Sequence, residues 1–220
     1  MYNIGILGSG RVATVLASKL SSVGHTITIG TRDIAKATAA WKGAAVTFKD
    51  QAQTARDATI IINATPGETS LERLSALKAE LDGKILIDLA NATERGENGM
   101  PGNLTYPNSS LAEHLQAALP NTFVVKTLNT MLFTVMVDPG SLNIPATAFL
   151  SGNDQAAKAV ASGLLGDLGW TRDQIEDLGE ISSARGVEAV MLLVPHIIRS
   201  RGFSPFAFTL AVSGRPEKAM

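Results

Sequence analysis

The 220-residue sequence contains no cysteine, and this absence excludes disulfides, thiolate metal sites and a thiol nucleophile together. Its three histidines, His25, His114 and His196, are scattered along the chain, and no group of His and carboxylates has metal-ligand spacing, so no metal is expected. Runs of one charge are missing too: charged residues are 18% of the chain and the formal net charge is -1. A nucleic-acid footprint or a polybasic membrane patch is therefore not expected. No basic leader precedes the first apolar run, Asn3–Leu7. The most apolar late stretch, Val187–Ile198, reads as too short for a bilayer and carries Glu188, Pro195 and His196. These absences predict a soluble, cytoplasmic protein without internal repeats. A catalytic triad, a carboxylate pair and an obvious catalytic lysine are also lacking.

What is present is an alternation. Asn3–Leu7, His25–Gly30, Ala44–Phe48, Ala58–Asn63, Lys84–Leu89, Thr122–Lys126 and Thr147–Ser151 have the composition of strands. Between them lie amphipathic stretches at Val12–Ser22, Ile34–Trp41, Gln51–Arg56, Leu71–Leu81, Leu111–Leu119 and Gln155–Leu168. Strands alternating with helices predict an α/β fold of the Rossmann type, a doubly wound, mostly parallel sheet. Asn91–Ser110 breaks the rhythm with Gly96, Gly99, Pro101, Gly102 and Pro107, and reads as a long loop. A long apolar helix bent at Pro195 is expected over Ile181–Ser200, a last strand over Phe203–Val212, and a frayed tail over Ser213–Met220. The predicted division is a dinucleotide-binding domain over 1–152 and a small C-terminal helix–strand segment over 153–220. The latter would complete the substrate pocket and a dimer interface.

The first strand runs into Gly8-Ser9-Gly10-Arg11-Val12-Ala13, which has the G-x-G-x-x-A form of a dinucleotide fingerprint. Gly8 permits the tight turn, Gly10 admits a pyrophosphate against the backbone, and Ala13 allows close helix–strand packing. A strand before it and a helix after it supply the context that distinguishes the motif from an ordinary glycine turn. The second strand ends in Gly30-Thr31-Arg32, with Lys36 one turn later, where an NAD site usually has an acidic residue. A hydroxyl, a guanidinium and an ammonium suit a 2′-phosphate, so the expected cofactor is NADP(H). Asp33 reads as the cap of the next helix.

From the fingerprint to the last predicted strand, the chain resembles the NADPH-dependent reductases of the deazaflavin coenzyme F420. It also resembles the cytosolic oxidoreductase domain of metalloreductases that carry a six-helix membrane domain. The resemblance rests on residues 5–10, Gly30-Thr31-Arg32, Ala64-Thr65-Pro66, Lys126-Thr127-Leu128-Asn129-Thr130 and residues 177–185. It implies hydride transfer between NADP(H) and a flavin or deazaflavin ring, by a protein that is typically dimeric. Thr65 and Pro66 would then lie near the nicotinamide, while Asn129, Thr130 and Met131 would line the acceptor pocket. Asn129 matches the metalloreductase branch, since the deazaflavin reductases carry His there. Chemistry agrees with this reading: hydride transfer between planar rings needs alignment more than acid–base groups.

The expected site thus comprises Asn129 and Thr130 as catalytic-pocket residues. Gly8, Ser9, Gly10, Arg11, Val12, Thr31, Arg32, Lys36, Thr65, Pro66 and Asn91 would bind cofactor. The pocket should open between Asn129–Phe133 and the C-terminal helix with apolar walls, and Asn129 could both donate to and accept from a ring edge. His196 reads as structural, and Arg185 as an anchor of the late helix. Alternatives are an NADPH reductase of another small acceptor, resembling hydroxyacid dehydrogenases or imine reductases or using quinone or ferric ion. A further one is a non-enzymatic NADP sensor. A homodimer is expected because a sheet covers only one face of the apolar Ile181–Ser200 helix.

Overall fold

The computed structural model describes residues 1–96 and 99–213. Its centre is an eight-stranded sheet in the order β10-β9-β8-β5-β4-β1-β2-β3. The strands are β1 (Asn3–Leu7), β2 (Thr26–Gly30), β3 (Thr47–Lys49), β4 (Ile60–Asn63), β5 (Ile85–Asp88), β8 (Phe123–Lys126), β9 (Ala148–Gly152) and β10 (Ile175–Asp177). Every pairing is parallel except β8 with β9. The inner strands β1, β4 and β5 are almost wholly buried apolar runs, as expected where helices cover both faces of a sheet. One core lies under α1 (Arg11–Ser22) and α8 (Gln155–Leu168); the opposite face carries α4 (Gly67–Ser75), α5 (Lys78–Leu81) and α6 (Leu111–Ala118). Helices α2 (Ile34–Ala40), α3 (Gln51–Asp57) and the short α7 (Phe133–Met136) complete the wrapping. The order is that of a Rossmann-type fold, with the fingerprint turn at the carboxyl end of central β1.

Several boundaries differ from the sequence reading. The third strand is shorter and later, at Thr47–Lys49 rather than Ala44–Phe48. Leu71–Leu81 is divided between α4 and α5, because α4 ends at Ser75 and Leu77 sits outside helical geometry. The long loop Asn91–Ser110 contains an antiparallel hairpin, β6 (Thr93–Arg95) with β7 (Pro101–Leu104). Phe203–Val212 is an extended segment rather than a sheet strand. It makes one isolated bridge, Met131 with Ala207, and main-chain bonds from Leu132 N to Phe206 O and from Thr147 N to Phe208 O. Its apolar pattern is satisfied by clasping two loops instead of extending the sheet. The expected tail lies outside the described residues from position 214 onward.

The late helical run is continuous over Ile181–Arg201, 21 residues, so it is longer than the Val187–Ile198 stretch visible from hydropathy. By length and composition alone it is apolar enough to cross a membrane. It comprises α9 (Ala184–Ala189) and α10 (Val194–Arg201) joined by a tighter 3₁₀ turn at Val190–Leu193. Pro195 explains the turn: lacking N–H, it cannot complete the bond to the carbonyl four residues earlier. Ile181, Ala184 and Val187 pack into the core, whereas Leu192 and Leu193 are exposed.

Candidate functional site

The β1–α1 turn shows which fingerprint glycine serves the fold and which leaves room. Gly8 has φ +117, and a Cβ there would lie 2.6 Å from the Ala64 carbonyl. The turn itself therefore requires glycine. Gly10 is different: a Cβ would meet nothing within 4 Å. The space beside it opens on a cleft of about 440 Å³ lined by Gly8, Ser9, Gly10, Val12, Thr31 and Arg32, with Gln51, Thr65, Pro66 and Arg73 also on its walls. The α1 N-terminus has no side-chain cap, whereas Asp33, Asp50, Ser110 and Asp154 cap α2, α3, α6 and α8. Uncapped amides at the positive end of a 12-residue helix suit an anion. Asp33 Oδ1 accepts from Lys36 N at 2.9 Å, the predicted cap.

Arg32 is exposed at the cleft with no carboxylate partner among the described residues. Lys36 is exposed on α2 and does not line the cleft. Arg11 also lies outside the lining; its guanidinium sits over the Phe133 ring, 5.2 Å from the centroid. Arg73, on α4, is a cleft residue that the sequence does not reveal, because only the fold carries that helix to the fingerprint. Gly67 lets the start of α4 pack directly on the loop after β5, since a Cβ there would collide with the Asn91 carbonyl.

Three adjacent strands, β4, β5 and β8, end in polar residues in register: Asn63, Asp88 and Lys126. All three are fully buried. Asn63 Nδ2 donates to Asp88 Oδ1 at 2.7 Å, and Asn63 Oδ1 accepts from both the N–H and the hydroxyl of Thr65. Lys126 Nζ lies 2.8 Å from Asp88 Oδ2 and 2.8 Å from Glu188 Oε1 of α9, and it also donates to the Ala90 carbonyl. Burial alone would push the Lys126 ammonium down, but Asp88 and Glu188 outweigh it and hold it above the ordinary lysine range. Glu188 in turn accepts from Leu111 N and Ala112 N at the start of α6, where the helix dipole favours its charge. A continuous buried network thus connects the Thr65 loop to the late helix. Arg185, one turn earlier on α9, grips Glu113 of α6 with two nitrogens, an anchoring role.

Beyond β8 the chain makes a strained turn. Leu128 has φ 56, the one positive-φ non-glycine among the described residues, and its side chain is buried. A left-handed leucine costs about 1–2 kcal/mol, and the core packing holds it. The turn presents Asn129 and Thr130. Asn129 Nδ2 donates to Asn91 Oδ1 at 2.9 Å and Val187 O at 3.0 Å, while Asn91 Nδ2 donates back to Asn129 O. Because Val187 O can only accept, the amide orientation is fixed. The expected donor function of Asn129 toward a ring is therefore corrected: both amide hydrogens are committed, and only Oδ1 is left. That oxygen and Thr130 Oγ1 are buried without any partner. Such orphans are uncommon in native proteins. Both residues border an apolar cavity of about 350 Å³ walled by Met131, Phe133, Met136, Met191, Phe206 and Phe208. Asn91 borders it too, and Val12 lines both this cavity and the nucleotide cleft. No cluster of three or more potential metal ligands occurs among the described residues.

Comparison with known proteins agrees with this geometry. Residues 3–92 match the family model of NADP oxidoreductases, coenzyme F420-dependent. A crystal structure from Arthrobacter sp. FB24, provisionally designated an F420-dependent NADP reductase, superposes with a TM-score of 0.87 at 38% identity, covering 96% of this chain and 100% of that one. The F420-dependent NADP reductase of Methanocaldococcus jannaschii is 28% identical over 204 residues, 87% of this chain and 90% of the relative. Metalloreductase STEAP3 of Rattus norvegicus is 30% identical over 191 residues; the match spans 86% of this chain but only 36% of the relative.

Proposed function

Because the chain belongs to the family of coenzyme F420-dependent NADP oxidoreductases, and is thus an NADP-dependent oxidoreductase acting by hydride transfer, we propose that its second substrate is a flavin or deazaflavin ring held in the apolar cavity. One observation carries this reading: the nucleotide cleft and the apolar cavity share Val12, so groups held in the two meet at that side chain. NADPH, when bound, supplies the hydride. The α1 amides and Gly10 would receive its pyrophosphate, and Thr31 and Arg32 its 2′-phosphate, with Lys36 approaching only by rotation of its exposed side chain. Asn63 fixes the Thr65 side of the cleft.

On the acceptor side, Met131, Phe133, Met136 and the C-terminal phenylalanines exclude water and provide flat apolar contact. Asn129 Oδ1 can accept from a ring N–H, and Thr130 Oγ1 can donate to or accept from the same edge. Asn91 and the Val187 carbonyl hold Asn129 in that orientation. A walled apolar cavity with two orphaned polar atoms favours a planar heterocycle over a free ferric ion, which would seek oxygen ligands. In this assignment residues 1–152 bind NADP(H), and 153–220 complete the acceptor pocket. The exposed Leu192, Leu193 and Phe203 further support a homodimer, in which a second copy covers the solvent face of the late helix.

The test is NADPH oxidation at fixed enzyme with a panel of deazaflavin, FMN, FAD, quinone and ferric acceptors. Turnover led by the ring compounds is the expected result. Turnover confined to quinone or ferric ion, or NADPH binding without oxidation by any acceptor, overturns the ring assignment. Mass in solution at micromolar concentration decides the dimer.

A further inference from the structure

Three charged side chains are buried where β5 and β8 end and α9 packs against them, and hydride transfer itself gives none of them a task. Asp88 and Lys126 are wholly shielded from solvent and Glu188 nearly so. Lys126 Nζ lies 2.8 Å from an oxygen of each acid, so two carboxylates share one ammonium and the cluster retains one negative charge. Arg185 and Glu113, which flank it, pair with each other. Holding strands together does not call for this arrangement, since apolar residues of similar volume often do as well or better. Its position is more informative. On the cleft side, Asp88 reaches Thr65 through Asn63. On the other side, Ala90, whose carbonyl accepts from Lys126, precedes Asn91, and Glu188 follows Val187. Asn91 and Val187 are the residues that fix the Asn129 amide. The cluster is therefore tied to both sides of the junction between the nucleotide cleft and the apolar cavity.

We propose that this cluster sets the redox poise of the bound nucleotide: Asp88, Lys126 and Glu188 together form a fixed negative charge that favours NADP⁺ over NADPH. Hydride departs with both bonding electrons to the acceptor and leaves one positive charge on the nicotinamide ring. A preorganised negative charge in the interior, where salt screens little, favours that product and the transition state leading to it. The three side chains act at a distance, since none lines the cleft or the cavity. The proposal rests on the reading that the reacting ring lies at the Val12 junction, and it holds for any acceptor. Across about 10 Å, at an effective dielectric constant of about 20, one unit charge shifts an equilibrium on the order of tenfold. The α6 amides that donate to Glu188 offset part of its charge. The change made by one substitution, rather than the absolute preference, is therefore the measure.

The experiment titrates NADP⁺ and NADPH separately, without acceptor, by calorimetry at pH 8. The proteins are the parent, Lys126→Met, Glu188→Gln and the double variant. Adenosine 2′,5′-bisphosphate, which lacks the nicotinamide, is the control ligand. Glu188→Gln removes a negative charge and should weaken NADP⁺ about tenfold relative to NADPH, a rise of about 30 mV in the potential of the bound couple. Lys126→Met adds a negative charge and should move the ratio by a similar factor in the opposite direction. The double variant has the parent's net charge and should return to the parent's ratio. The control should bind every variant alike. A purely structural cluster would move both single variants in the same direction or neither. Ratios within about twofold of the parent in both, or shifts of the same sign, overturn the charge role. Weakening of the control in step with the dinucleotides overturns it as well. If Lys126→Met does not fold, Glu188→Gln and the double variant carry the same decision. No acceptor is present, so any of these failures leaves the ring assignment to its own acceptor panel.

Discussion

Replacing Lys126 by Met tests the buried network most directly. The side chain is wholly buried and about isosteric with Met, so packing changes little while the charge disappears. Two carboxylates are left behind, each losing a partner at 2.8 Å. Breaking a buried ion pair from one side costs about 3–5 kcal/mol. Here the lower part of that range is expected, because Asp88 keeps Asn63 and Ala90 N, and Glu188 keeps two α6 amides. A loss of about 3 kcal/mol is still a large share of the roughly 5–15 kcal/mol typical of a folded domain. Urea unfolding at pH 7 measures it. The deficit should narrow as pH falls, since a proton can neutralise a stranded carboxylate in the variant. It should narrow in alkali as well: the folded Lys126 is held above 10.5, so its contribution is complete below 10.5 and is lost as pH rises through the folded value. Adding Glu188→Gln should recover part of the loss. A deficit below about 1 kcal/mol at pH 7, or one flat with pH, would show that water rather than Lys126 satisfies these carboxylates.

Four further outcomes follow from the geometry. Gly10→Ala should leave the unfolding midpoint nearly unchanged, since its Cβ meets nothing, yet weaken NADPH sharply; Gly8→Ala should instead destabilise, and calorimetry with a binding titration separates the two. Arg32→Ala should weaken NADPH by about one to two decades and NADH much less, as expected for a charge-assisted phosphate contact of about 1.5–3 kcal/mol; equal losses would refute the 2′-phosphate role. If the apolar cavity bordered by Asn129 takes the acceptor, Asn129→Leu should slow single-turnover oxidation while NADPH affinity is retained; affinity falling in step with rate would move it to the nucleotide side. Arg185 and then desolvation act on the Glu113 carboxyl, and the net effect holds it below 4.5, so its contribution is full above pH 4.5 and lost as pH falls through the lower folded value; Glu113→Gln should therefore cost stability at pH 7 and little near pH 3, as read by urea unfolding.

The nucleotide half was legible because its signals are local. Gly8 and Gly10 lie between a strand and a helix, and the amphipathic run Val12–Ser22 falls within α1. The β6–β7 hairpin was hidden because Thr93–Leu104 is rich in glycine and lacks period-two alternation, and β10 is only three residues long. Phe203–Val212 has a strand's composition, but hydropathy does not say whether a segment joins a sheet or clasps two loops. The buried network was unreadable for another reason. Asn63 and Asp88 are 25 positions apart and Asp88 and Lys126 are 38 apart, so only strand order brings them together. Arg73 likewise carries no sequence mark of its cleft position. In the loop after β8, sequence named Asn129 and Thr130, while the commitment of the Asn129 amide to Val187 depends on the late helix.

The clasp made by residues 206–208 has a consequence for the order in which the protein becomes competent. The cleft around Gly8, Arg32 and Arg73 is lined by residues from the first third of the chain, whereas the apolar cavity needs Phe206 and Phe208 to close over the Asn129 loop. N-terminal elements generally fold first during synthesis, and long-range closures come late. A chain without that clasp would therefore keep its dinucleotide cleft while the apolar cavity beside it stays open. Proteolytic nicking within 203–210 should recreate that half-built state in the mature protein, a dinucleotide binder cut off from its electron acceptor.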